Sequence, residues 1–395
     1  MFEGLYDMKT ILFIYPTPFN PIAGGVERVT DLLTKGFITR DYNVIYLHHV
    51  HKDSLMEYDY PAPVYFFPSS DYNSSENVVF YHEFLKEHKV DVVINQCGLF
   101  QDSTLYLNIG SNKCKTISVL HGDPMLNYEH LFSEELILKE KSFVGCLKLL
   151  ARIFLYKRIK NNYLHSRIEH LRYLFIHSDR IMLLSSAYKD VMEKFKISYD
   201  EEKIDTIPNP MSFDVNKSLK KKQLLYVGRL DSGQKRVDRL LDIWQRLYKK
   251  YTDWEMIIIG DGKERKRFEM QAKKLDRISL MGFQSPEKYY SDASIFCLTS
   301  NFEGFPMVLP EAMAFGAVPF AFDSFPAVHD IIEDGKTGVL VKPFSIKEYA
   351  DKLAQLMDDG KERARMSENC MKYVTRFSLD NIVNQWVTLI NSLQE

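Results

Sequence analysis

Two glutamates, Glu303 and Glu311, lie on either side of the junction between a loop and a predicted helix. If the intervening segment were entirely helical, a rise of roughly 1.5 Å per residue would place the two carboxylates about 12 Å apart. Carboxylates at that distance cannot share a proton or a metal ion. They can bind the two ends of one elongated ligand that is rich in hydroxyl groups, and a sugar attached to a nucleotide is such a ligand.

Two cations, Arg229 and Lys235, follow the apolar run of residues 223–228. Arg229 stands at the carboxyl end of this predicted strand, and Lys235 lies in the loop before the helical pattern of residues 237–251. We expect both side chains to project into a cleft between two domains. Such a pair can neutralise a diphosphate and stabilise it as a leaving group. Taken alone, either residue is more often a solvated surface charge.

His121 stands at a further strand end, and the pair Gly24-Gly25 stands at the start of a predicted helix. The carboxyl end of a parallel strand is where open α/β sheets bind ligands, although a loop histidine more often has a structural role. The two glycines expose backbone N–H groups at a helix start, a possible anion site, with a flexible turn as the alternative. No GxGxxG follows the first strand at residues 10–15, which argues against a dinucleotide enzyme.

Short apolar runs alternate with helical patterns in both halves of the chain. This alternation predicts an α/β protein with two doubly wound parallel sheets. The predicted domains are residues 1–211 and 223–378, joined by a polar, lysine-rich linker at residues 212–222. The predicted strands are residues 10–15, 44–48, 90–95, 116–120, 180–185, 223–228, 255–260, 278–283, 293–298, 318–322 and 338–341.

Composition excludes several classes of protein. A formal net charge of −2 argues against an overall basic nucleic-acid binder, so an anionic ligand needs a local cluster of cations. The five cysteines are scattered and form no CxxC pair, which predicts neither a disulfide framework nor a zinc site and favours a reducing, cytoplasmic setting. No run approaches the roughly 20 apolar residues of a membrane span, and residues 1–8 do not resemble a signal peptide.

Residues 141–168 contain no acidic side chain and have apolar residues at helical spacing. This pattern predicts an amphipathic basic helix. One interpretation is a surface that docks on anionic lipid, at roughly 1 kcal/mol per basic residue. The other is a core-facing helix with a solvated basic face, and the two are equally favoured. The basic residues are Lys141, Lys148, Arg152, Lys157, Arg158, Lys160 and Arg167.

The segment E-G-F-P-x-V-L-P-E-A-M-A-x-G at residues 303–316 resembles the donor-sugar motif of retaining glycosyltransferases of family 4. G-G-V-E-R at residues 24–28 is similar to the family's segment beside the donor phosphates and the acceptor. G-R-L…K-x-V-D at residues 228–238 resembles its diphosphate-binding motif. Two departures are visible: the Arg-to-Lys spacing is one residue longer than the commonest form, and Arg236 stands where glycine is usual.

The resemblance implies the GT-B fold, in which two Rossmann-like domains face each other across a cleft and the terminal helix, residues 379–395 here, packs back on the first domain. It implies that Arg229 and Lys235 bind the diphosphate and that Glu311 binds the ribose. It also implies that Glu303 positions the donor sugar and that His121 contacts this sugar near its 6-hydroxyl. The expected donor-binding residues are Gly24, Gly25, Gly282, Phe283, Gly304, Phe305, Pro306, Met307, Val308, Leu309 and Glu311.

The implied reaction is retaining transfer of a hexose or N-acetylhexosamine from a nucleoside diphosphate sugar, with a UDP-sugar as the first expectation. The leaving diphosphate would take the acceptor proton, without a protein nucleophile. No Asp-x-Asp clasp stands at a strand end, so we expect neither a metal nor another cofactor. The expected acceptor is a saccharide or lipid-linked saccharide in surface polysaccharide or glycolipid synthesis.

Two other functions remain open at this point: a nucleotide-sugar epimerase, and a non-catalytic scaffold that binds nucleotide sugars. We expect no nucleic-acid partner. The expected location is the cytoplasm, with peripheral contact at the inner face of the cell membrane if residues 141–168 dock there. The base, the sugar and the acceptor are not specified by the sequence.

Overall fold

The computed structural model describes residues 8–21, 24–51, 57–72, 74–100, 107, 114–125, 128 and 143–393, with the backbone alone at 143–155 and 157. The chain divides into two compact units. The first unit comprises Met1–Pro210 together with Leu379–Glu395, and the second comprises Met211–Ser378.

The first unit is built on a parallel sheet with the strand order β3-β2-β1-β4-β5-β6-β7 in its described part. Continuous apolar runs form the central strands, because each face of a parallel sheet is covered by helices. The strands are β1 Thr10–Tyr15, β2 Asn43–His48, β3 Val64–Phe66, β4 Val90–Asn95, β5 Lys115–Leu120, β6 Arg180–Leu183 and β7 Ile204–Thr206. The helices are α1 Gly25–Ile38, α2 Ser75–Glu87, α3 Phe143–His177 and α4 Ala187–Lys194, with a 3₁₀ turn at Glu201–Lys203.

The second unit repeats this architecture with the strand order β10-β9-β8-β11-β12-β13, again all parallel. The strands are β8 Lys221–Val227, β9 Glu255–Ile259, β10 Ile278–Gly282, β11 Ala293–Leu298, β12 Val318–Phe322 and β13 Val339–Val341. The helices are α5 Val237–Leu247, α6 Arg265–Ala272, α7 Glu287–Asp292, α8 Val308–Ala314, α9 Val328–Ile331, α10 Ile346–Asp358 and α11 Gly360–Tyr373, followed by a 3₁₀ turn at Val374–Phe377.

The strand order reverses once in each sheet, at β1/β4 in the first unit and at β8/β11 in the second. In open α/β sheets ligands bind beyond the carboxyl ends of the strands at such a switch point. Gln96 directly follows β4. Arg229 follows β8 by two residues, and Glu303 lies in the loop after β11. The fold therefore brings candidate site residues to both switch points.

The terminal helix α12, Leu379–Ser392, packs on α1 of the first unit. A Cβ added to Gly36 would come 2.4 Å from a methyl group of Val383, so the close approach of the two helices needs glycine there. Arg40 donates from Nε to Asn384 Oδ1 at 3.0 Å. Trp386 is buried in the same unit.

The predicted linker at residues 212–222 is part of the second unit and is held along its surface. Ser218 donates its hydroxyl to the Ser291 carbonyl at 2.6 Å, and Lys220 donates to the Tyr290 carbonyl at 3.0 Å. Strand β8 begins at Lys221, before the predicted start at residue 223. The lysines that made this segment look like a free connector instead bind carbonyls and carboxylates of the second unit.

The predicted basic helix is the first part of α3, but Arg167 is not on a solvated face. Arg167 is buried and donates from Nε to the Pro124 carbonyl at 2.6 Å and from Nη1 to the Leu99 carbonyl at 2.7 Å. Burial lowers the pKa of its guanidinium to about 10. Residues 141 and 142 and the side chains of 143–155 and 157 lie outside the described part. No helix among the described residues is long and apolar enough to cross a membrane.

Candidate active site

The loop after β8 folds around the buried carboxylate of Asp231. Its Oδ1 accepts hydrogen bonds from the backbone N–H groups of Gly233, Gln234 and Lys235 at 3.1, 2.7 and 3.0 Å, and its Oδ2 accepts from Arg229 Nε at 2.8 Å. Burial acts to raise the pKa of Asp231, but the hydrogen bonds from Arg229, Lys235 and Gln234 outweigh it and lower the pKa. Asp231 thus fixes the loop that carries both predicted diphosphate ligands.

The loop after β11 is hydrogen-bonded to the loop after β8. The backbone N–H of Asn301 donates to the Gln234 carbonyl at 2.7 Å, and its side-chain amide donates to the Gly233 carbonyl at 2.6 Å. The Thr299 hydroxyl donates to the Arg236 carbonyl at 3.0 Å. These bonds set the distance between the cations of one loop and the carboxylate of the other.

Four side chains form one network at this switch point. Lys235 Nζ donates to Glu303 Oε1 at 2.6 Å. Gln234 connects Arg229 to Glu303. Its Oε1 accepts from Arg229 Nη2 at 2.9 Å, and its Nε2 donates to Glu303 Oε2 at 3.3 Å. The Ser300 hydroxyl adds a further bond to Glu303 Oε1 at 2.6 Å. The structure therefore brings together three predicted catalytic residues, and the longer Arg-to-Lys spacing places Gln234 between them.

The network combines an exposed cation with a buried ion pair. The Arg229 side chain is 62% exposed, whereas those of Lys235 and Glu303 are 19% and 6% exposed. A guanidinium that keeps exposed N–H groups can bind phosphate oxygens through two parallel hydrogen bonds. Lys235 can supply a second positive charge if a phosphate oxygen replaces the Glu303 carboxylate as its partner. The arrangement suits a ligand with two adjacent phosphates.

Glu311 lies apart from that network on α8. Its side chain is fully buried, with Oε1 accepting from the Ser212 hydroxyl at 2.8 Å and Oε2 accepting from the Tyr290 hydroxyl at 3.0 Å. The segment between Glu303 and Glu311 is helical only from Val308, so the separation calculated for a continuous helix does not apply. A ribose that binds Glu311 would have to share or replace these two hydroxyl donors.

The residues between the two glutamates contribute side chains to the core of the second unit. Phe305 packs edge-to-face on Phe377, with 5.5 Å between ring centroids, and Leu309 is fully buried. Met307 is also buried, and Val308 begins α8. The side chains of Phe305, Met307 and Leu309 are therefore turned into the protein, and a ligand would meet the backbone of this segment. Pro306 has no N–H, so the backbone donors available before α8 are those of Gly304, Phe305 and Met307.

Gly282 is the last residue of β10, and Phe283 follows it at the same edge of the sheet. Gly282 has a φ of +77°, and a Cβ there would come 2.8 Å from Arg265 Nη1, so the position favours glycine. Its carbonyl accepts from the Gly260 N–H at 2.8 Å. The Phe283 ring is 67% exposed. Its exposure leaves the ring available to a flat partner such as a base.

In the first unit, Gly24 and Gly25 stand at the start of α1. A Cβ on Gly24 would come 2.5 Å from Glu27 Oε2, so that carboxylate lies directly against the glycine. Burial raises the pKa of Glu27. Nothing lies within 4 Å of the position where Gly25 would carry a Cβ.

His121 follows β5 and is hydrogen-bonded to Gln96, with 2.5 Å between Nε2 and Oε1. Burial lowers the pKa of the His121 imidazole to about 4, so it is neutral near pH 7. Gln96 also donates from Nε2 to the Thr30 hydroxyl at 3.0 Å. Among the described residues, no group of three or more His, Cys, Asp or Glu side chains is placed to hold a metal ion.

The sequence analysis missed several polar residues that hold the predicted site residues in place. Asp231 and Gln234 lie in the same loop as Lys235, and Gln96 directly follows a predicted strand, so their positions were a usable signal. Ser212 and Tyr290 lie 99 and 21 residues from Glu311 in the chain, and no local pattern pointed to them.

Two family models match the chain, and they meet at the boundary between its units. Residues 23–214 match the model described as Glycosyltransferase Family 4, and residues 209–373 match the model described as Glycosyl transferases group 1. The chain belongs to glycosyltransferase family 4. The predicted family is thereby confirmed, and with it the transferase class of enzyme.

Curated relatives of this family 4 chain include an uncharacterised glycosyltransferase of Haemophilus influenzae, 34% identical over 216 residues, which are 53% of this chain and 60% of the relative. Another is the lipopolysaccharide 1,6-galactosyltransferase of Salmonella typhimurium, 27% identical over 255 residues, 58% of this chain and 70% of the relative. The matches span 60% and 51% of the length of the first two curated relatives.

The fold resembles that of HepE from Anabaena in complex with UDP, with a TM-score of 0.73. The likeness covers 98% of this chain and 100% of that one at 18% sequence identity. Together with the two parallel-sheet units, this likeness confirms the predicted GT-B fold.

Proposed function

We propose that this family 4 chain transfers a hexose or N-acetylhexosamine from a nucleoside diphosphate sugar to a saccharide or lipid-linked saccharide, with retention of anomeric configuration. The observation that carries the proposal is the Arg229–Gln234–Glu303–Lys235 network at the switch point of the second unit. In it two cations able to bind a diphosphate are held beside a carboxylate able to bind sugar hydroxyls. We assign the diphosphate to Arg229 and Lys235, the donor sugar to Glu303 and His121, and the ribose to Glu311.

The surroundings of both glutamates support a reaction without a protein nucleophile. Glu303 accepts hydrogen bonds from Lys235, Ser300 and Gln234, which reduces the nucleophilicity of its carboxylate. Glu311 is fully buried between two hydroxyl donors. In our proposal the acceptor hydroxyl attacks the anomeric carbon on the face from which the diphosphate leaves, and a diphosphate oxygen takes the hydroxyl proton.

We propose that Arg229 and Lys235 replace a metal ion in neutralising the leaving diphosphate. Two positive charges aimed at the developing negative charge lower the barrier electrostatically. The structure of HepE is a complex with UDP, which supports uridine as the first donor base to test. The Salmonella relative, named for lipopolysaccharide, supports an acceptor in surface polysaccharide or glycolipid synthesis. A lipid-linked acceptor would make peripheral membrane contact through α3 useful.

The test is a panel of UDP-, GDP- and ADP-sugars incubated with the purified protein, first with EDTA and then with Mg²⁺. Release of one nucleoside diphosphate at equal rates in both conditions is the expected result. Water is the only acceptor in this panel, so the anomer of the sugar first released, read by NMR before it mutarotates, should match that of the donor. An epimerase would change the sugar without releasing the diphosphate, and a scaffold would bind without converting any donor; either result contradicts the proposal. Lys235→Met should abolish release, whereas the matched exposed variant Lys249→Met should not.

A further inference from the structure

A chain of hydrogen bonds runs inside the first unit from α1 to His121. The Thr30 hydroxyl donates to the Val26 carbonyl at 2.8 Å, Gln96 Nε2 donates to Thr30 Oγ1 at 3.0 Å, and Gln96 Oε1 lies 2.5 Å from His121 Nε2. Thr30 and Gln96 are both buried. The geometry allows the direction of every bond in the chain to be worked out.

The starting point is the carbonyl of Val26, which can only accept. The single hydroxyl proton of Thr30 must therefore point at it, and Thr30 Oγ1 is left as an acceptor. An acceptor on Thr30 requires the amide nitrogen of Gln96 to face it, because an amide oxygen there would meet another oxygen. The amide oxygen of Gln96 consequently faces His121 Nε2. Because this oxygen can only accept a hydrogen bond, the proton must be on Nε2.

Hydrogen bonds to backbone groups hold Gln96 itself and the loops that follow Gln96 and His121. The Gln96 N–H donates to the Ile14 carbonyl of β1 at 3.1 Å. The loop after Gln96 is fixed by His170 Nε2, 3.0 Å from the Gly98 carbonyl, and by Arg167, which also binds the loop after His121 through Pro124. A rotation of the Gln96 amide by 180° would place its nitrogen opposite His121 Nε2 and favour the proton on Nδ1, and the hydrogen bond to Thr30 opposes that rotation.

We infer that Thr30 and Gln96 are positioning residues that hold His121 as the Nε2–H tautomer and leave its Nδ1 as a hydrogen-bond acceptor for a hydroxyl group of the donor sugar. This inference rests on the proposed function for the identity of the ligand. Among the described residues, none hydrogen-bonds to Nδ1. Burial also favours the neutral ring, with a pKa of about 4.

An acceptor-only histidine has a defined consequence for recognition. The sugar group opposite Nδ1 has to be a hydrogen-bond donor, so a hydroxyl fits. A fluorine at the same carbon accepts weakly and cannot donate. A donor analogue with fluorine at that position should lose as much kcat/KM as the deoxy analogue.

The tautomer can be observed directly in the full chain labelled with ¹⁵N-histidine, by two-bond ¹H–¹⁵N correlation at pH 7.5. The His121 signals are assigned from their absence in His121→Gln. We expect the Nε2–H pattern in the wild type and in Thr30→Ser, which keeps the hydroxyl. In Thr30→Val the Gln96 amide loses its orienting partner, and we expect mixed tautomers with kcat/KM for the accepted sugar nucleotide reduced by up to about tenfold, the loss typical of one neutral hydrogen bond.

Thr34→Val is the matched control, because Thr34 is a buried threonine one turn further along α1. It should show the wild-type tautomer and wild-type kcat/KM. An Nδ1–H or charged His121 in the wild type would overturn the inference, and so would a Thr30→Val protein with an unchanged tautomer and unchanged kcat/KM. The Nε2–H tautomer in a protein that cleaves no sugar nucleotide would instead contradict the proposed function while the positioning chain stood.

Discussion

Lys235 Nζ and Glu303 Oε1 are 2.6 Å apart, so the lysine assigned to the diphosphate is paired with the carboxylate assigned to the sugar. The two residues are 68 positions apart in the chain and come from the loops after β8 and β11. The ion pair means that a diphosphate does not meet a free lysine. The diphosphate has to compete with Glu303 for Lys235. Removing the charge of Glu303 should therefore affect diphosphate binding and the rate of transfer in opposite directions.

Glu303→Gln should weaken transfer and strengthen product binding. Without its charge, residue 303 no longer competes for Lys235 or repels phosphate, so we expect UDP to bind a few-fold more tightly. Loss of the sugar-positioning carboxylate should lower kcat by roughly 100-fold or more, as for removal of one preorganised group. Calorimetric titration of UDP and initial rates of donor cleavage measure the two effects. The exposed Glu287→Gln should change neither, and weaker UDP binding by Glu303→Gln would disprove the competition.

Gln234→Leu tests the connection between Arg229 and Glu303. The variant removes the acceptor of Arg229 Nη2 and one donor to Glu303, and we expect kcat/KM to fall by about tenfold or less. Gln234→Glu should lower kcat/KM further than Gln234→Leu does, because it adds negative charge beside the place assigned to the diphosphate. Gln245→Leu, on the exposed side of α5, serves as the control. Equal activity of the Leu and Glu variants would argue against an electrostatic role for the network.

Arg236 occupies the left-handed backbone region, with φ +53° and ψ +48°, which glycine adopts without strain. Its guanidinium pairs with Asp238, with 2.8 Å between Nη2 and Oδ2. Arg236→Gly and Arg236→Ala both remove this pair, so the difference between them reports the backbone. We expect the Gly variant to be more stable than the Ala variant by about 1 kcal/mol, the reverse of the order inside a helix. Urea unfolding measures the difference, and greater stability of the Ala variant would contradict it.

Sequence patterns predicted the sheets well because the strands are short continuous apolar runs. Strands β1, β4, β11 and β12 have the predicted bounds. Strands β3 and β7 were not predicted, because they have three residues each and Ile204 is the one buried residue among the six. Helix α11 was not predicted, since only Met366 and Cys370 of it are buried and no apolar stripe appears. Asp359, which caps this helix by accepting from the N–H groups of Lys361 and Glu362, was the available signal.

The candidate site was predictable mainly where its residues stand in recognisable motifs, and Asp231 was missed although it is charged. Arg229, Lys235 and Glu303 stand in motifs, and a charge at a strand end attracts attention. Gln234 and Gln96 have no such signature, and their value depends on partners 69 and 25 residues away in the chain. The pairing of Lys235 with Glu303 is likewise a property of how the two loops fold.

Arg167 and Arg158 lie on the same helix, and we expect different roles for them. The buried Arg167 guanidinium donates hydrogen bonds to two backbone carbonyls. Arg167→Met leaves both carbonyls without this donor and should lower the free energy of unfolding by several kcal/mol, at roughly 1–3 kcal/mol per carbonyl. Arg158 is exposed, and Arg158→Met should change stability by no more than about 0.5 kcal/mol. Thermal unfolding compares them.

If α3 docks on anionic membranes, substitutions of Arg158 and Arg167 should also differ in their effect on vesicle binding. Arg158→Glu should weaken sedimentation with vesicles that contain phosphatidylglycerol, by roughly 1 kcal/mol for each unit of charge removed. Arg167→Met should bind the same vesicles as well as the wild type does, at a temperature where it is folded. Phosphatidylcholine vesicles provide the neutral control. Unchanged binding by Arg158→Glu would count against contact through this face.

Histidines buried in the neutral form should make the first unit sensitive to acid. Burial lowers the pKa of His48 to about 3 and the pKa values of His49, His121 and His170 to about 4, from an ordinary 6.5. The unfolded chain binds protons at these sites as the pH falls through 6.5, whereas the folded chain does not. The free energy of unfolding is therefore highest above pH 6.5 and decreases between pH 6.5 and 4, by up to about 1.4 kcal/mol per pH unit for each fully buried histidine.

Urea unfolding at pH 7.5, 6.5 and 5.5 measures this slope, and His48→Asn identifies one contributor. Asparagine can keep the hydrogen bond that His48 Nδ1 makes to the Tyr15 carbonyl at 2.9 Å, but it does not titrate. We expect the variant to be less stable than the wild type at pH 7.5 and to lose stability less steeply below pH 6.5, since one proton fewer is taken up on unfolding. The exposed His165→Asn should keep the wild-type slope. An unchanged slope in His48→Asn would mean that His48 does not stay neutral in the folded protein, because only a neutral folded histidine produces the proton uptake.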